Sequence, residues 1–503
     1  MTRTVEETIA ASPSDQVAAR LPVRTDLFID GIFVPAASGR RFDSVSPRDG
    51  RVIAEVAEAD AADVDDAVAA ARRAFEDGRW ADRHPRDRRG VLLRLADLVE
   101  RDADILATLE SVDMGKPISH ARAVDLRVVQ QTIRFFAEAV DKRYDEVAPT
   151  GPDVHATITR EPLGVVAAVV PWNFPLMLAV WKIAPALAVG NSVVVKPAEQ
   201  SPLTMLYFAQ LAAEAGLPDG VLNVLPGFGP SAGAALGRHM DVDALTFTGS
   251  GPVGRMFLRY AADSNIKEVS LELGGKSPQL VLADAPDTDA VARAVAVGVF
   301  FNQGEVCSAG SRLVVHRSRK EEVLAKVREE AARLVIGDPL AETTFVGALV
   351  ERDHLDRVLS HISAAHEDGA TLVVGGEQVL ADTGGYYVEP TIFDDVAPHS
   401  RLAQNEVFGP VLAVQVFDDL NEGIALANGT QYGLGASVWT RDLSSAHRAA
   451  RRLRAGTVWV NCYDESDVTV PFGGFGQSGF GGHDKGLTAM DKYCHTKSTW
   501  MAL

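Results

Sequence analysis

The spacing of apolar residues changes along the chain, from helical in the first third to alternating strand and helix afterwards. Between about Asp63 and Tyr144, apolar residues recur three and four positions apart with charged residues between them. This spacing predicts surface helices that each bury one face. Three helices are expected, in DVDDAVAAARRAFEDG, RRGVLLRLADLVERDADILATLESVD and DLRVVQQTIRFFAEAVDKRY.

After Gly164, short runs rich in β-branched residues alternate with helical segments. The runs GVVAAVVP, NSVVVKPA, GVLNVLPG and DALTFTGS predict strands, and MLAVWKIAPALAVG and SPLTMLYFAQLAAEAGLP predict helices between them. Strands that alternate with helices form parallel sheets through crossover connections. The predicted fold class is therefore α/β.

A second alternating region begins near Ser277. It contains PQLVLADA, SRLVVH, the helical RKEEVLAKVREEAARLV, and then YYVEPTIF, PVLAVQVF and ASVWT. The glycine-rich stretch LELGGKSP separates the two regions and indicates a boundary. The last stretch, KYCHTKSTWMAL, predicts a terminal strand that needs a partner edge for its backbone groups.

Size and composition favour a soluble enzyme of two or three domains, since 503 residues exceed one ordinary core. Apolar runs such as LGVVAAVVPW fall well short of the roughly 20 residues that a membrane span needs. The net charge of -19 disfavours nucleic acid, which proteins bind through clustered Lys and Arg. We therefore expect neither a membrane nor a nucleic-acid partner.

The first 22 residues lack the apolar segment of a secretory signal, and we expect residues 1–22 to form a flexible arm. The chain has three cysteines, Cys307, Cys462 and Cys494, which form neither a disulfide framework nor a CxxC metal motif. This usage predicts a reducing, cytoplasmic location and no metal site. Cys462 and Cys494 are interpreted as structural.

Three residues are candidates for catalysis. Cys307 lies among small residues in NQGEVCSAGSR, where the backbone can bend sharply. This leaves one side of the sulfur uncrowded, as a nucleophile requires. Glu272 in LELGGKSP has leucine neighbours that raise a carboxyl pKa toward that of a general base; the alternative is a solvated strand glutamate. Asn173, between two prolines in PWNFP, is either an oxyanion donor or a turn asparagine.

Two segments suggest a nucleotide site. In LTFTGSGPVG a strand ends and a helix begins, so Gly249 and Gly254 would let a pyrophosphate approach the free N–H groups. The spacing departs from GxGxxG, and a purely structural turn is an equal alternative. In VVVKPAEQSP, Glu199 can accept both hydroxyls of a ribose with Lys196 nearby, or the two residues form a solvated loop pair.

In chain order, PWNFP, KPAEQSP, FTGS, LELGGKSP, NQGEVCSAGSR and NEVFGPV resemble the signature motifs of the NAD(P)-dependent aldehyde dehydrogenase superfamily, from about Ile29 to the C-terminus. The resemblance implies a Rossmann-like cofactor domain, an α/β catalytic domain and a β-strand oligomerisation arm, in a homodimer or homotetramer. The implied bounds are 23–143 and 164–274 for the NAD-binding domain, 275–475 for the catalytic domain, and 144–163 with 486–503 for oligomerisation.

The resemblance also implies a reaction. Cys307 would attack the aldehyde, hydride would leave for the nicotinamide, and Glu272 would deprotonate the water that hydrolyses the thioester. Asn173 and the Cys307 backbone N–H would bind the oxyanion. Glu272 disfavours a dehydrogenase that acylates coenzyme A, and the presence of all three residues disfavours a catalytically silent structural or binding protein on this fold.

For the cofactor, the resemblance places Glu199 on the adenosine ribose, which favours NAD over NADP because a carboxylate repels a 2′-phosphate. Glu406 would bind the nicotinamide ribose, with Phe408 beside the ring. The other residues assigned to the cofactor are Trp172, Lys196, Gly229, Gly249, Ser250, Gly254 and Leu273.

The substrate follows from a looser resemblance. AEAVDKRYDEVAPT and the last 45 or so residues are similar to the γ-glutamyl-γ-aminobutyraldehyde dehydrogenase branch, which takes ω-amino and ω-amido aldehydes from polyamine breakdown. A broad aliphatic or betaine aldehyde dehydrogenase is the alternative. The residues expected around the substrate are Phe174, Trp181, Phe301 and Phe472 in a funnel, with Asp113, Asp464, Glu465 and Asp467 at its mouth.

Aromatic faces and carboxylates both favour a cationic tail, unless the aromatic residues are generic lining and the acids are solvated. One departure from the family concerns Glu305, which stands two residues before Cys307 where glutamine is frequent. A carboxylate there is expected to lie near the thiol and to raise its pKa.

Overall fold

The structure, a computed structural model, describes residues 23–503, so the predicted arm of residues 1–22 lies outside the described part. The strands, numbered along the chain, are β1 (Leu27–Ile29), β2 (Ile32–Val34), β3 (Arg41–Val45), β4 (Val52–Ala57), β5 (Glu146–Val147), β6 (Val154–Pro162), β7 (Val165–Val169), β8 (Ser192–Lys196), β9 (Leu222–Val224), β10 (Ala244–Gly249), β11 (Glu268–Leu273), β12 (Pro278–Val281), β13 (Arg312–His316), β14 (Thr371–Val374), β15 (Gln378–Val379), β16 (Tyr387–Val388), β17 (Thr391–Asp394), β18 (Val411–Phe417), β19 (Gly435–Trp439), β20 (Thr457–Val460), β21 (Gly479–Phe480) and β22 (Cys494–Ala502).

The α-helices are α1 (Ala61–Glu76), α2 (Pro85–Arg101), α3 (Ala103–Met114), α4 (Ile118–His120), α5 (Arg127–Ala139), α6 (Pro175–Val189), α7 (Leu203–Glu214), α8 (Ala234–Arg238), α9 (Gly251–Ala262), α10 (Thr288–Phe300), α11 (Lys320–Ala332), α12 (Arg352–Glu367), α13 (Arg401–Gln404), α14 (Leu420–Ala427) and α15 (Leu443–Arg452). Two π-helical segments, Ala121–Leu126 and Gly229–Gly233, precede α5 and α8. Within residues 23–503, no helix has both the length and the apolar character needed to cross a bilayer.

An eight-stranded sheet has the order β2-β1-β9-β8-β7-β10-β11-β21, and its five central strands are parallel. Successive residues of β8 point to opposite faces: Val193 and Val195 pack into the core that contains α6 and α7, while Val194 packs into the core that contains α1. Both faces of this sheet are therefore covered, as the continuous β-branched runs predict. The predicted parallel sheet with helical crossovers is confirmed.

A seven-stranded sheet has the order β14-β17-β18-β13-β12-β19-β20, and its strands are parallel except for β14. The chain passes from the first sheet to the second between Leu273 and Pro278, at the predicted boundary. Glu272 lies on β11, on one side of this short link. The assignment of the two halves as cofactor and catalytic domains stays a prediction.

The predicted terminal strand exists and has a partner. β22 pairs antiparallel with β6 over nine residue pairs, from Cys494 beside Pro162 to Ala502 beside Val154. With β5 these strands form a separate sheet in which β22 is an edge.

One predicted helix is wrong in its extent. The segment that reads as a single helix from Arg88 to Asp113 is two helices, α2 and α3, which meet at Asp102. Asp102 has φ -104° and ψ 21°, and its carboxylate accepts hydrogen bonds from Arg101 and from the Tyr207 hydroxyl. These contacts hold the chain at the bend although the apolar spacing continues through it.

Candidate active site

Cys307 lies in the loop that joins α10 to β13. The loop begins with a tight turn, in which Asn302 and Gln303 both adopt left-handed backbone conformations with φ of 49° and 58°. Such angles are uncommon outside glycine and mark a backbone held by its surroundings. The turn brings Cys307, half-buried, to the wall of a small chamber. The chamber is lined by Leu178, Trp181, Thr248, Glu272, Leu273, Cys307, Leu434, Phe472 and Asp484.

Glu272 lies in the same chamber wall, near the end of β11. It is 7% exposed, and its Oε2 has no hydrogen-bond partner within residues 23–503. A Cβ at Gly473 would lie 2.9 Å from Glu272 Oε1, so glycine leaves room for the carboxyl group. Burial, and then the nearby carboxylate of Asp484, raise the pKa of Glu272 well above its ordinary value.

Behind Glu272 lies a buried ion cluster that the sequence analysis missed. Lys182 Nζ lies 2.9 Å from Asp484 Oδ2, and Lys492 donates to Asp484 Oδ1. All three side chains are almost fully buried. A sequence signal for Lys182 existed, because it is the one charged residue in the apolar helix α6, and buried lysines require a partner.

Asn173 is buried at 2% exposure beside the nucleophile loop. Its Nδ2 donates to the Glu305 carbonyl oxygen at 2.9 Å. Asn302 Nδ2 donates to the backbone oxygens of both Asn173 and Glu305, at 3.2 Å each. The Asn173 amide is thus held against the segment that carries Cys307, with its orientation fixed before any substrate arrives.

The Glu305 carboxyl group does not face the thiol, which corrects the expectation from the sequence. Glu305 Oε1 accepts from the Val350 N–H at 3.0 Å, and Oε2 accepts from Gln303 Nε2 at 3.4 Å. Burial raises the pKa of Glu305 well above its ordinary value. Because this pocket holds the side chain, only the Glu305 backbone faces Asn173.

The pKa of the Cys307 thiol is nevertheless raised. Burial is the largest cause, followed by the charges of Glu406, Asp464 and Glu272. The thiol is therefore surrounded by three carboxylates, of which Glu272 also lines the chamber.

The predicted nucleotide residues surround the ends of β8 and β10. Lys196 Nζ lies 3.0 Å from Glu199 Oε2 at the end of β8, with the lysine buried and the carboxylate partly exposed. Helix α9 begins at Gly251 without a side-chain cap from Ser250, so its first N–H groups stay available. Gly254 packs closely, since a Cβ there would lie 3.0 Å from Leu273 Cδ2, whereas Gly229 faces open space.

A second group of predicted cofactor residues includes Glu406 and Phe408. Glu406 Oε1 accepts from the Gly275 N–H at 2.9 Å, and burial raises the pKa of Glu406 to about 7. The rings of Trp172 and Phe408 lie 5.2 Å apart in an edge-to-face arrangement. The sequence analysis missed His354, whose Nε2 lies 2.7 Å from the Phe408 carbonyl oxygen and whose ring also contacts Trp172.

The four funnel aromatics form two pairs. Trp181 and Phe472 have ring centroids 5.5 Å apart and line the chamber, while Phe174 stacks on Phe301 at 6.5 Å. The ammonium of Lys485 lies 4.9 Å from the Trp181 ring and 5.4 Å from the Phe472 ring. Two of the four aromatic rings that the sequence offered to a substrate cation are therefore already in contact with Lys485.

Of the predicted mouth acids, Asp464, Glu465 and Asp467 are exposed on the segment after β20. Asp113 is not at the mouth, and its placement there is wrong. It is completely buried in α3, where it accepts from Ser44 Oγ and from the Leu203 N–H at 2.8 Å each. Its charge alone suggested a surface position, but its partners place it in the interior.

Comparison with known proteins agrees with this geometry. Residues 33–499 match the model of the aldehyde dehydrogenase family. The chain belongs to this family. It is 50% identical to an aminoacetaldehyde dehydrogenase of Pseudomonas aeruginosa over 96% of its own length and 97% of that protein.

Two solved structures of the family superpose closely. An indole-3-acetaldehyde dehydrogenase in complex with NAD⁺ is 54% identical, with a TM-score of 0.96 over 97% of this chain and 99% of the other. A γ-glutamyl-γ-aminobutyraldehyde dehydrogenase from Burkholderia cenocepacia is 52% identical, with a TM-score of 0.96 over 98% and 99%. The fold is therefore the aldehyde dehydrogenase fold, and the protein is an aldehyde-oxidising enzyme.

Proposed function

We propose that the enzyme oxidises an aldehyde to its carboxylic acid with NAD and water, and that Cys307 is the nucleophile and Glu272 the base. One observation carries this proposal: both side chains line the same chamber, where the Glu272 carboxyl is buried with an oxygen free of hydrogen bonds. Burial raises the pKa of Glu272 well above its ordinary value, which makes the ionised carboxylate a stronger base.

The residues predicted to bind the cofactor fit NAD. The uncapped start of α9 at Ser250 suits a pyrophosphate, and Gly229 leaves open space nearby. Glu199 suits the adenosine ribose and disfavours the 2′-phosphate of NADP, although its partner Lys196 softens that preference. Glu406 is in place for the second ribose. When bound, NAD supplies the acceptor for the hydride that the aldehyde loses.

The chain's own residues perform the other steps. The Cys307 sulfur forms a bond to the aldehyde carbon, and the Asn173 amide with the Cys307 N–H stabilises the oxyanion. Loss of hydride converts this adduct to a thioester. Glu272 then takes a proton from water, the resulting hydroxide attacks the thioester carbon, and the C–S bond breaks to release the acid and the thiolate.

The substrate we propose is an ω-amino or γ-glutamylamino aldehyde of polyamine breakdown. The named activities of two similar proteins support this class. The exposed carboxylates Glu465 and Asp467 also support it, because they suit an ammonium group at the far end of the substrate. Lys485 already contacts the rings of Trp181 and Phe472. We therefore expect the ammonium group of the substrate to lie beyond these rings, near the exposed carboxylates.

An aliphatic, betaine or aryl acetaldehyde is the alternative, and the similarity to an indole-3-acetaldehyde dehydrogenase favours testing an aryl substrate. Initial rates of NAD reduction on 4-aminobutanal, its γ-glutamyl derivative, betaine aldehyde, hexanal and indole-3-acetaldehyde decide between them. Cys307→Ala is the blank. A higher kcat/KM for the first two supports the proposal, whereas preference for hexanal or the indole aldehyde contradicts the substrate class and leaves the mechanism intact.

We further infer a cytoplasmic homodimer or homotetramer that assembles through β22. This strand is an edge of its sheet, and its side chains Trp500 and Met501 are 68% and 48% exposed. An edge strand with exposed apolar residues needs a cover. The three cysteines are free thiols, as a reducing compartment favours.

A further inference from the structure

Lys485 has an unusual position for a lysine. It is 3% exposed, and its backbone adopts a left-handed conformation with φ of 61°. Lysine is among the residues least often buried, and left-handed backbone is uncommon for residues other than glycine. Both features place the side chain against the chamber instead of in solvent.

The contacts of Lys485 leave its charge largely uncompensated by direct bonds. Its ammonium donates to Ser466 Oγ, and within residues 23–503 it makes no ion pair. The other lysines near the chamber, Lys182 and Lys492, both bind Asp484 directly. Within residues 23–503, Lys485 thus has no directly bonded carboxylate, unlike Lys182 and Lys492.

The ammonium and the nucleophile share one wall. Lys485 lies against the rings of Trp181 and Phe472, and both rings line the chamber into which Cys307 opens. The segment facing Lys485 also reaches the nucleophile loop, because Ser308 Oγ donates to Asp464 Oδ1 at 3.1 Å. Burial lowers the pKa of Lys485, whereas the charges of Asp464, Asp467, Asp484 and a Cys307 thiolate act to raise it, so the ammonium and the thiolate interact.

Other ionisable groups face the same space. Those acting on Cys307 are acidic, and those acting on Lys485 are the carboxylates beside it and the thiol itself. For Cys307 they are Glu272 on β11, Glu406 after α13, and Tyr463 and Asp464 after β20; for Lys485 they are Asp464, Asp467, Asp484 and Cys307. A thiolate in such surroundings needs a cation.

We propose that Lys485 is a positioning residue for the nucleophile, whose ammonium stabilises the thiolate of Cys307 across the wall formed by Trp181 and Phe472. In a partly buried chamber, charges interact more strongly than in water. This inference rests on the proposed role of Cys307 and is independent of which aldehyde the enzyme takes.

The test measures thiolate formation directly. The rate of Cys307 alkylation by iodoacetamide is followed from pH 6 to 10 in the full-length enzyme, with mass spectrometry to separate Cys307 from Cys462 and Cys494. Lys485→Met should move the midpoint upward by about half to one pH unit and slow alkylation at pH 7 by about three- to tenfold. Lys485→Arg should restore the wild-type midpoint, because it keeps the charge.

Lys326→Met, which changes a partly exposed lysine on α11, is the matched control and should leave the profile unchanged. Lys485→Gln, which keeps a donor for Ser466, serves if the methionine variant fails to fold. An unchanged midpoint in a folded Lys485→Met or Lys485→Gln enzyme overturns the inference. Full activity after complete Cys307 alkylation would instead contradict the nucleophile assignment, so the two failures are distinguishable.

Discussion

Lys182 Nζ lies 2.9 Å from Asp484 Oδ2, although the two residues are 302 positions apart in the chain. This pair lies behind Glu272 and affects its charge: Asp484 raises the pKa of Glu272, while Lys182 and Lys492 lower it. Burial is the largest cause of the raised pKa of Glu272, and these three charged side chains adjust it further.

Replacing Lys182 with methionine should weaken catalysis by raising the pKa of Glu272 further. Glu272 acts as a base only above its pKa, so the acidic limb of the kcat profile should move to higher pH, and kcat at pH 7 should fall about tenfold. Steady-state rates from pH 6 to 10 measure this. Lys182→Arg is the charge-retaining comparison, and a limb that stays in place in the methionine variant would contradict the role of the cluster.

Replacing Glu199 with glutamine should change cofactor selectivity. The carboxylate that accepts two ribose hydroxyls and repels a 2′-phosphate is lost, so KM for NAD should rise and the ratio of kcat/KM for NADP to NAD should increase about tenfold. Initial rates with each cofactor test this. Glu329→Gln, which neutralises an exposed carboxylate on α11, should leave the ratio unchanged; an equal ratio in both variants would refute the assignment.

Removing the negative charges of Glu465 and Asp467, at the predicted mouth of the substrate funnel, should affect cationic substrates selectively. In the double variant Glu465→Gln and Asp467→Asn, KM for 4-aminobutanal should rise several-fold while KM for hexanal stays the same, because only the ammonium loses its attraction. Raising the salt concentration should reduce the same difference in the wild type. Equal changes of KM for both aldehydes would show that Glu465 and Asp467 are solvated loop residues that do not attract the substrate.

Stability should depend on pH through Asp113. Burial raises the pKa of Asp113 to about 7, above its ordinary value of 3.8 in the unfolded chain. Its stabilising contribution is therefore complete below about pH 4 and is lost as the pH rises through 7. Asp113→Asn, which can keep the contacts to Ser44 and Leu203, should raise Tm at pH 8 by ~2 °C relative to the wild type.

At pH 4.5 that advantage of Asp113→Asn should be much smaller, because the wild-type carboxyl group is then protonated in the folded state. Differential scanning fluorimetry at both pH values provides the comparison. An equal shift of Tm at the two pH values would point to packing instead of ionisation.

Assembly should depend on the exposed face of β22. Trp500→Glu places a charge on the edge strand and should shift the enzyme toward smaller species. Size-exclusion chromatography with light scattering measures the mass, and Lys497→Gln, a change at an exposed lysine of the same strand, is the comparison. Retention of the wild-type mass by the Trp500 variant would exclude this face as the interface.

The sequence predicted those features that depend on local pattern. Parallel strands such as β8 are readable because residues buried on both faces form unbroken β-branched runs. The catalytic roles of Cys307 and Glu272 were predicted from their immediate neighbours and from the resemblance to a family, and they stay predictions. The break at Asp102 was not predicted. The Tyr207 hydroxyl that donates to the Asp102 carboxylate lies on a helix that is distant in the sequence.

Charged residues were the main source of error, since their environment is not written in the nearby sequence. Asp113 was interpreted as a surface acid, and Glu305 as a neighbour of the thiol, although each is bound in a pocket of its own. Lys485 went unnoticed because the rings it covers come from α6 and from the segment before β21. Only the three-dimensional arrangement shows that this lysine takes the position expected for a substrate cation.

The pairing of β22 with β6 has a mechanical consequence for catalysis. The strand begins at Cys494, two residues after Lys492, and the Tyr493 carbonyl between them accepts from Asn191 and Leu163. The pairing of the C-terminal strand therefore helps to fix the position of Lys492, whose ammonium group donates to Asp484. Cleavage of the chain within this strand should therefore loosen Lys492 as well as remove an edge strand, so damage near the C-terminus should reach the proposed base, Glu272.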